Sequence, residues 1–258
     1  MFKIALDAGH GLNTAGKRCD KAFDPNETRE WLLNDRICDK VEKKLSAYSG
    51  YSLIRVDDTT GKTDVALKDR VKKANDFGAD IYLSVHQNAA QKPISGGGAM
   101  AIIDTTASQK SKEYQKIIYA DFIRHTGLKG NRTDPTPAQD LYVCKHTKMP
   151  AVLVECGFMN SSTDTPIIIT EAFAEKAANA LVESLVEIGK LTSVSSNVTS
   201  HEGFTDIKGH YAESHIKDLA RMGIVSGRTK DKFMPDATIT RGEVAVIARL
   251  VIKYITGK

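Results

Sequence analysis

The strongest constraint on the fold is a series of short apolar runs that alternate with amphipathic segments. Each run is too short for a helix and rich in β-branched residues, and together they cover residues 3–6, 52–56, 81–85, 98–103 and 151–154. Between them, apolar residues recur with helical spacing around residues 33–45, 67–74, 114–122 and 173–188. Strands that are apolar on both faces and alternate with helices predict an α/β fold, with a twisted, mostly parallel sheet flanked by helices.

A change in composition predicts where the chain divides. Residues 192–202 are small and polar and show no apolar periodicity, which is typical of a flexible linker. We therefore predict a large domain over residues 1–191, a linker over 192–202 and a small helical module over 203–258. The last segment is short for an independent domain.

Composition excludes several classes of protein. The 258 residues are 41% hydrophobic and 26% charged, which is ordinary for a globular chain and too apolar for a disordered one. No apolar run approaches the roughly 18 residues of a membrane span. The net charge of +4 is too small to indicate nucleic acid, although it favours an acidic partner.

The start of the chain and its cysteines predict a compartment. A strand pattern begins at residue 2, and the features of a secretory signal are missing, so we expect the protein to be made in the cytoplasm without a signal peptide. The four cysteines show no paired spacing, so free thiols in a reducing compartment are expected.

Three of the predicted strands run into an ionisable residue. His10 follows the first, His86 ends the third and Glu155 ends the last. In open α/β sheets the ligand crevice lies outside the carboxyl ends of the strands, so these side chains can converge. A single histidine at a strand end is more often structural, but two histidines and a glutamate favour a site.

A carboxylate at the start of the first predicted helix can complete a metal site. Two imidazoles and one carboxylate form a common catalytic zinc set that leaves a fourth position for water. Glu30 is the candidate, and Glu27 is its rival in the same stretch. Only the spacing of Glu30 from Asn34 favours the former. No HExxH segment is present, which excludes the helical metalloprotease arrangement.

These residues lie in segments that resemble a known family. The segments are LDAGHG at 6–11, EWLLN at 30–34, SVHQNA at 84–89 and VECGFMN at 154–160, with RVKKAN at 70–75 between them. In this order they resemble the zinc-dependent N-acetylmuramoyl-L-alanine amidases of the type 3 family, over about residues 2–189.

The resemblance implies a site and a reaction. It implies that His10, Glu30 and His86 bind zinc and that Glu155 is the catalytic acid–base residue. The implied substrate is peptidoglycan, cleaved by zinc-activated water at the amide between the lactyl group of N-acetylmuramic acid and the first L-alanine of the stem peptide.

Asp7 either orients a ligand or caps a turn, Asn88 either contacts substrate or holds its loop, and Cys156 is expected to be a small buried hydrophobe.

The C-terminal module carries a second resemblance. Its segments GFTDI at 203–207, HYA at 210–212, MGIVSG at 222–227, FMPD at 233–236 and ITRGE at 239–243 resemble one S-layer homology motif. Such motifs typically bind secondary polymers attached to peptidoglycan. Residues 192–258 hold ten basic and seven acidic residues, a difference of +3, which agrees with an anionic polymer.

Two departures from that motif affect what it implies. Gly242 stands where the family usually has alanine, and three copies usually cooperate where this chain has one. A single copy is expected to bind weakly or to associate with copies on other chains, giving a homo-oligomer. Arg241 is the candidate polymer contact. The alternative is that residues 244–254 form a helix that packs on the larger domain or on a second copy.

The two resemblances together predict an enzyme that degrades the cell wall after release from the cytoplasm. The arrangement resembles a phage or prophage endolysin, and a host autolysin of mother-cell lysis is the nearest alternative. A non-catalytic wall-binding protein and a metallopeptidase that cuts within the stem peptide are the rivals from other classes. No nucleic-acid or membrane partner is expected.

Overall fold

The computed structural model describes residues 1–193, 204–229 and 231–256. The chain divides into two compact units, Met1–Val194 and Ser195–Lys258, which we call the N-terminal and C-terminal units. Most of the predicted linker, from residue 194 onward, lies outside the described residues. Its first two residues belong to a short strand. None of the described helices combines the length and the apolar composition needed to cross a bilayer.

A five-stranded sheet forms the centre of the N-terminal unit, with the strand order β3-β1-β4-β6-β5. All neighbouring pairs are parallel except β5 with β6. This confirms the predicted α/β fold with a mostly parallel sheet. The strands are β1 (Phe2–Ala8), β3 (Tyr51–Arg55), β4 (Ile81–Asn88), β5 (Met100–Ile102) and β6 (Ala151–Phe158), and a separate small sheet pairs β2 (Tyr48–Ser49) with β7 (Thr192–Ser193).

Helices cover both faces of this sheet. Helices α1 (Glu30–Leu45), α3 (Gln109–Thr126) and α6 (Glu171–Gly189) pack on one face, and α2 (Leu67–Phe77) and α4 (Tyr142–His146) pack on the other. The short helix α5 (Thr165–Ile168) precedes α6. Four of these helices follow the predicted periodic segments. The one-turn helices α4 and α5 are too short to produce a periodic signal.

The alternation of side chains along each strand decides which residues reach which face. Ile4 and Leu6 of β1 lie in the core under α1, α3 and α6, whereas Ala5 lies in the core under α2 and α4. By the same alternation Asp7, Ser84 and His86 point toward the α2–α4 face. The parallel register places Asp7 opposite Ser84 and His86 opposite Glu155. All four cysteines are buried free thiols.

The C-terminal unit has a small core of its own. Helix α7 (Glu213–Arg221) contributes Ile216 and Ala220, which pack with Phe204 and Ile207. Helix α8 (Arg241–Thr256) follows. The unit is helical, as its sequence predicts.

A candidate metal centre at the carboxyl edge of the sheet

Three of the predicted site residues come together beyond the ends of β1 and β4. His10 lies in the loop after β1, His86 lies near the end of β4, and Glu30 is the first residue of α1. His86 Nδ1 is 3.1 Å and His10 Nε2 is 3.4 Å from Glu30 Oε1. The two imidazole rings meet edge to face with centroids 4.9 Å apart. One donor atom from each residue lies within 4.8 Å of the others.

This spacing fits a tetrahedral zinc ion. Two donors that each lie about 2.0–2.1 Å from such an ion are about 3.3 Å apart, close to the separations found here. Glu30 is fully buried, and its Oε2 atom has no hydrogen-bond partner among the described residues. Two imidazole nitrogens close to Oε1 of a buried carboxylate, whose Oε2 makes no hydrogen bond among the described residues, form a donor set that suits zinc.

The rival carboxylate, Glu27, lies elsewhere. Its Oε1 atom forms an ion pair of 3.1 Å with Arg18 Nε, and it is not part of the cluster. Geometry therefore distinguishes the two glutamates, which the sequence distinguished only by the spacing to Asn34.

The charges within the cluster stabilise one another. Burial alone would raise the pKa of Glu30, but the hydrogen bonds and charges of His10 and His86 lower it well below its ordinary value. Burial would lower the pKa of His86, and the contact with Glu30 outweighs this and raises it. The backbone N–H of Gln87 donates to Glu30 Oε1 at 3.1 Å. Lys17 Nζ lies 3.7 Å from Glu30 Oε2.

Asn34 connects the three segments that carry the cluster. It lies one turn after Glu30 on α1 and is fully buried. Its Nδ2 donates to the carbonyl of Gly9 at 3.2 Å, and its Oδ1 accepts from Gln87 Nε2 at 3.3 Å. Gly9 must be glycine because a Cβ there would lie 2.1 Å from the His86 ring. The spacing between Glu30 and Asn34 was visible in the sequence, whereas these contacts of Asn34 were not.

A buried arginine holds the loop that carries His10. Arg70 Nη1 donates to Asp7 at 2.6 Å and to the carbonyl of Ala8, and Nη2 donates to the carbonyl of His10 at 2.7 Å. His10 has a φ of 68°, a left-handed conformation that a side chain rarely adopts. The hydrogen bond that Arg70 donates to the carbonyl of His10 stabilises this conformation. The role of Arg70 was not predicted from the sequence, where its place in an amidase-like segment is its only signal.

Asp7 orients this arginine. It is buried and also accepts hydrogen bonds from Tyr82 at 2.9 Å and Ser84 at 2.7 Å. Burial would raise the pKa of Asp7, but the charge of Arg70 and the hydrogen bond from Ser84 hold it below its ordinary value. These contacts link Asp7 to the carbonyl of His10 through Arg70.

Glu155 lies beside the cluster on the neighbouring strand. It is the register partner of His86, and its Oε2 atom is buried without a hydrogen-bond partner among the described residues. Burial raises the pKa of Glu155 to about 7, with the charge of His86 opposing and that of Glu30 reinforcing the shift. A carboxyl group with a pKa near neutrality can both accept and release a proton.

Two residues that the sequence left open have local contacts. Asn88 Nδ2 contacts Met100 Sδ at 3.4 Å, and the carbonyl of Asn88 accepts from the backbone of Met159. These contacts hold the loop. Cys156 is fully buried in the core, and burial raises the pKa of its thiol well above the ordinary value. It is a packing residue.

In the C-terminal unit, Arg241 is exposed at the first position of α8. Thr240 Oγ1 accepts from the backbone N–H of Glu243 at 3.2 Å, and Glu243 Oε2 accepts from that of Thr240 at 2.7 Å. This reciprocal pair is a capping box, which explains the Thr-x-x-Glu spacing. A Cβ on Gly242 would meet only Thr240 Oγ1, at 3.9 Å, so the alanine usual in the motif fits here too.

Comparison with known proteins identifies the family. Residues 4–187 match the N-acetylmuramoyl-L-alanine amidase family, and residues 203–245 match the S-layer homology domain. A sporulation-specific N-acetylmuramoyl-L-alanine amidase of Bacillus subtilis is 28% identical over 200 residues, which are 76% of this chain and 72% of that protein. An endolysin of Bacillus phage SPP1 is 29% identical over 191 residues, which are 73% of this chain and just under two thirds of the endolysin, 66%.

Solved structures agree with the sequence comparison. The crystal structure of an N-acetylmuramoyl-L-alanine amidase from Clostridium difficile 630 superposes with a TM-score of 0.65 at 25% identity, and the match covers 72% of this chain and 95% of that one. The matched family model includes part or all of each strand of the central sheet and all the residues of the candidate metal centre. This chain belongs to the N-acetylmuramoyl-L-alanine amidase family.

Proposed function

We propose that the protein is a zinc-dependent peptidoglycan hydrolase. It cleaves the amide bond between the lactyl group of N-acetylmuramic acid and the L-alanine of the stem peptide. The observation that carries this proposal is the meeting of His10, Glu30 and His86 with Glu155 on the adjacent strand. A protein that only bound the wall would need neither the buried donor set nor the carboxyl group beside it.

Each residue of the site has a separate task. His10, Glu30 and His86 would hold a zinc ion, which when bound would act as a Lewis acid on the amide carbonyl and lower the pKa of water. Glu155 accepts a proton from the water whose oxygen attacks the carbonyl carbon. It then delivers that proton to the alanine nitrogen as the carbon–nitrogen bond breaks. Burial raises the pKa of Glu155, which favours its holding the proton between the two transfers.

The products that the protein releases from purified cell walls test this function. We expect wild-type protein to release L-alanine amino termini without reducing sugars, and a chelator to abolish the release until zinc is restored. Release of other amino termini would identify a metallopeptidase instead. No release from metal-replete protein would identify a wall-binding protein without activity.

The C-terminal unit is proposed to hold the enzyme on the wall by binding an anionic secondary polymer. Arg241 is the proposed contact, because the capping box leaves its side chain exposed at a helix start where anions are favoured. A homo-oligomer formed through this unit is the second part of the proposal, since α8 exposes Val244 and Val246. Light scattering of the full chain tests this second part, because a homo-oligomer has a multiple of the mass of one chain.

A phage or prophage endolysin is the proposed biological role, which the similarity to a phage endolysin supports. A host autolysin of mother-cell lysis is the alternative, which the similarity to a sporulation-specific amidase supports. The time of synthesis separates them: an endolysin accumulates with late phage proteins, and the autolysin accumulates during sporulation.

A further inference from the structure

We propose that a cavity beside the metal ligands binds the uncharged N-acetylmuramoyl sugar, so that the glycan lies on the α2–α4 side of the site and the stem peptide lies on the side of Lys17. The proposal rests on the amidase function proposed above. It adds the direction in which the substrate lies across the site.

The cavity has a volume of about 410 Å³ and opens beside His10 and His86. This volume is within the range of about 300–1,000 Å³ that holds small ligands. The starts of α2 and α4 form its walls, and its larger apolar lining residues are Val65, Leu67, Leu141, Tyr142, Val143 and Leu153. Leu67 is 52% and Tyr142 is 41% exposed. Large apolar side chains that are exposed together in a concave site are typical of a ligand pocket.

The charged groups that line the cavity are already paired. The five N–H groups of Arg70 are directed at Asp7, Asp64 and the carbonyls of Ala8, His10 and Val65. Asp64 accepts from Arg70 at 3.1 Å and from Thr14 at 2.7 Å, and its carboxylate remains 44% exposed at the rim. The cavity therefore offers an acidic rim and, among its described lining residues, no unpaired lysine or arginine.

This combination favours the sugar over the peptide. The stem peptide carries free carboxylates, which an acidic rim repels. The acetylated amino sugar is neutral, and it presents a face of C–H groups and an acetyl methyl group that pack on apolar and aromatic side chains. Tyr142 can provide an aromatic platform, because its ring is held against that of His146, with centroids 4.3 Å apart and planes inclined by 40°.

A lysine also lies beside the metal centre. Lys17 belongs to the loop before α1, and its Nζ approaches Glu30 at the start of that helix. Helix α1 packs on the opposite face of the sheet from α2 and α4. Lys17 does not line the cavity, and its side chain is 42% exposed. It is placed to attract the carboxylates of the stem peptide.

Two soluble substrates test this direction. One is an N-acetylmuramoyl peptide, and the other is the same peptide acylated by D-lactate alone, without the sugar ring. We expect Tyr142→Ala and Leu67→Ala to raise KM for the muramoyl substrate. We also expect each variant to lower the ratio of kcat/KM for the muramoyl substrate to kcat/KM for the lactyl substrate about tenfold, which is about 1.4 kcal/mol. Tyr142→Phe should retain the ratio, because it keeps the aromatic face.

Two further variants complete the design. Ile167→Ala is the matched control, because Ile167 is exposed to a similar degree on α5 and does not line the cavity. Lys17→Ala should lower kcat/KM for both substrates about equally, because both carry the peptide. Circular dichroism of each variant checks that the fold is intact.

The outcomes separate this proposal from the function on which it rests. A ratio in Tyr142→Ala and Leu67→Ala equal to that of Ile167→Ala would overturn the sugar site. A fall of the ratio in Lys17→Ala would place the sugar on the other side and also overturn it. If wild-type protein cleaved neither substrate at the lactyl–alanine bond, the proposed function itself would fail.

Discussion

Arg70 is the residue whose replacement tests most directly how the site is held. We expect Arg70→Met to destabilise the N-terminal unit and loosen the loop that carries His10. The methionine has a similar length, so packing changes little, whereas Asp7 is left as a buried carboxylate without its cation. Removing one partner of a buried ion pair costs about 3–5 kcal/mol.

The expected loss of stability is large enough to measure by thermal unfolding. In a unit of this size each kcal/mol lowers the melting temperature by about 2–4 °C, so the variant should melt about 6–20 °C below wild type. Trp31 is the one tryptophan of the chain and is buried at the start of α1. Its fluorescence therefore reports unfolding of the N-terminal unit alone.

The loss should depend on pH. In wild type the pKa of Asp7 is below its ordinary value, so its contribution to stability is present above the ordinary carboxyl pKa and disappears as pH falls through the folded value. In the variant Arg70 no longer offsets burial, so the pKa of Asp7 rises and protonation relieves the unpaired charge. The difference in unfolding free energy should therefore shrink between pH 7 and pH 4.5.

Controls make this prediction specific. Lys72→Met removes an exposed cation from the same helix, where the ion pair with Asp76 lies in solvent, and should leave the melting temperature close to that of wild type. Asp7→Asn combined with Arg70→Met should recover part of the loss, because no buried charge remains. A loss below about 1 kcal/mol for Arg70→Met, or an equal loss at both pH values, would refute the reasoning.

Four further predictions concern the two units separately. Glu155→Gln should keep the fold and bound zinc but lower wall hydrolysis about 10²–10⁴-fold, and substantial activity of the metal-replete variant would exclude the assigned role. His10→Ala or His86→Ala should abolish stoichiometric zinc in elemental analysis, and a retained equivalent would exclude either as a ligand. Deleting residues 195–258 should preserve activity on soluble fragments and reduce sedimentation with intact walls; unchanged binding would contradict targeting by this unit. Gly242→Ala should stabilise the C-terminal unit by up to about 1 kcal/mol in calorimetry, since its Cβ meets no close atom; destabilisation would contradict the helix geometry.

The sheet was largely predictable from sequence because its strands are buried on both faces and therefore appear as uninterrupted apolar runs. Each of the five predicted runs overlaps a strand of the central sheet. The two-residue strands β2 and β7 were missed, since pairing between positions so far apart leaves no local pattern. The one-turn helix α4 was missed for a similar reason, although it forms a wall of the cavity.

The candidate site also has a part that could be predicted from the sequence and a part that could not. His10, His86 and Glu155 could be expected to meet because the ends of parallel strands share one edge of the sheet. The supporting contacts could not be expected, because each joins residues distant in sequence. Arg70 bonds with Asp7 across 63 positions, and Asn34 contacts Gln87 across 53. Such pairs follow from tertiary packing and not from any local spacing.

The direct register between His86 and Glu155 has a consequence for insertions and deletions. Strand positions alternate between faces, so removing one residue between Ala151 and Glu155 would turn the carboxyl group away from the metal centre and into the core under α1, α3 and α6. The same removal from the turn-rich segment at 129–139 would leave this phase intact. Natural variation in chain length should therefore be confined to the loops, while the spacing within β6 stays constant.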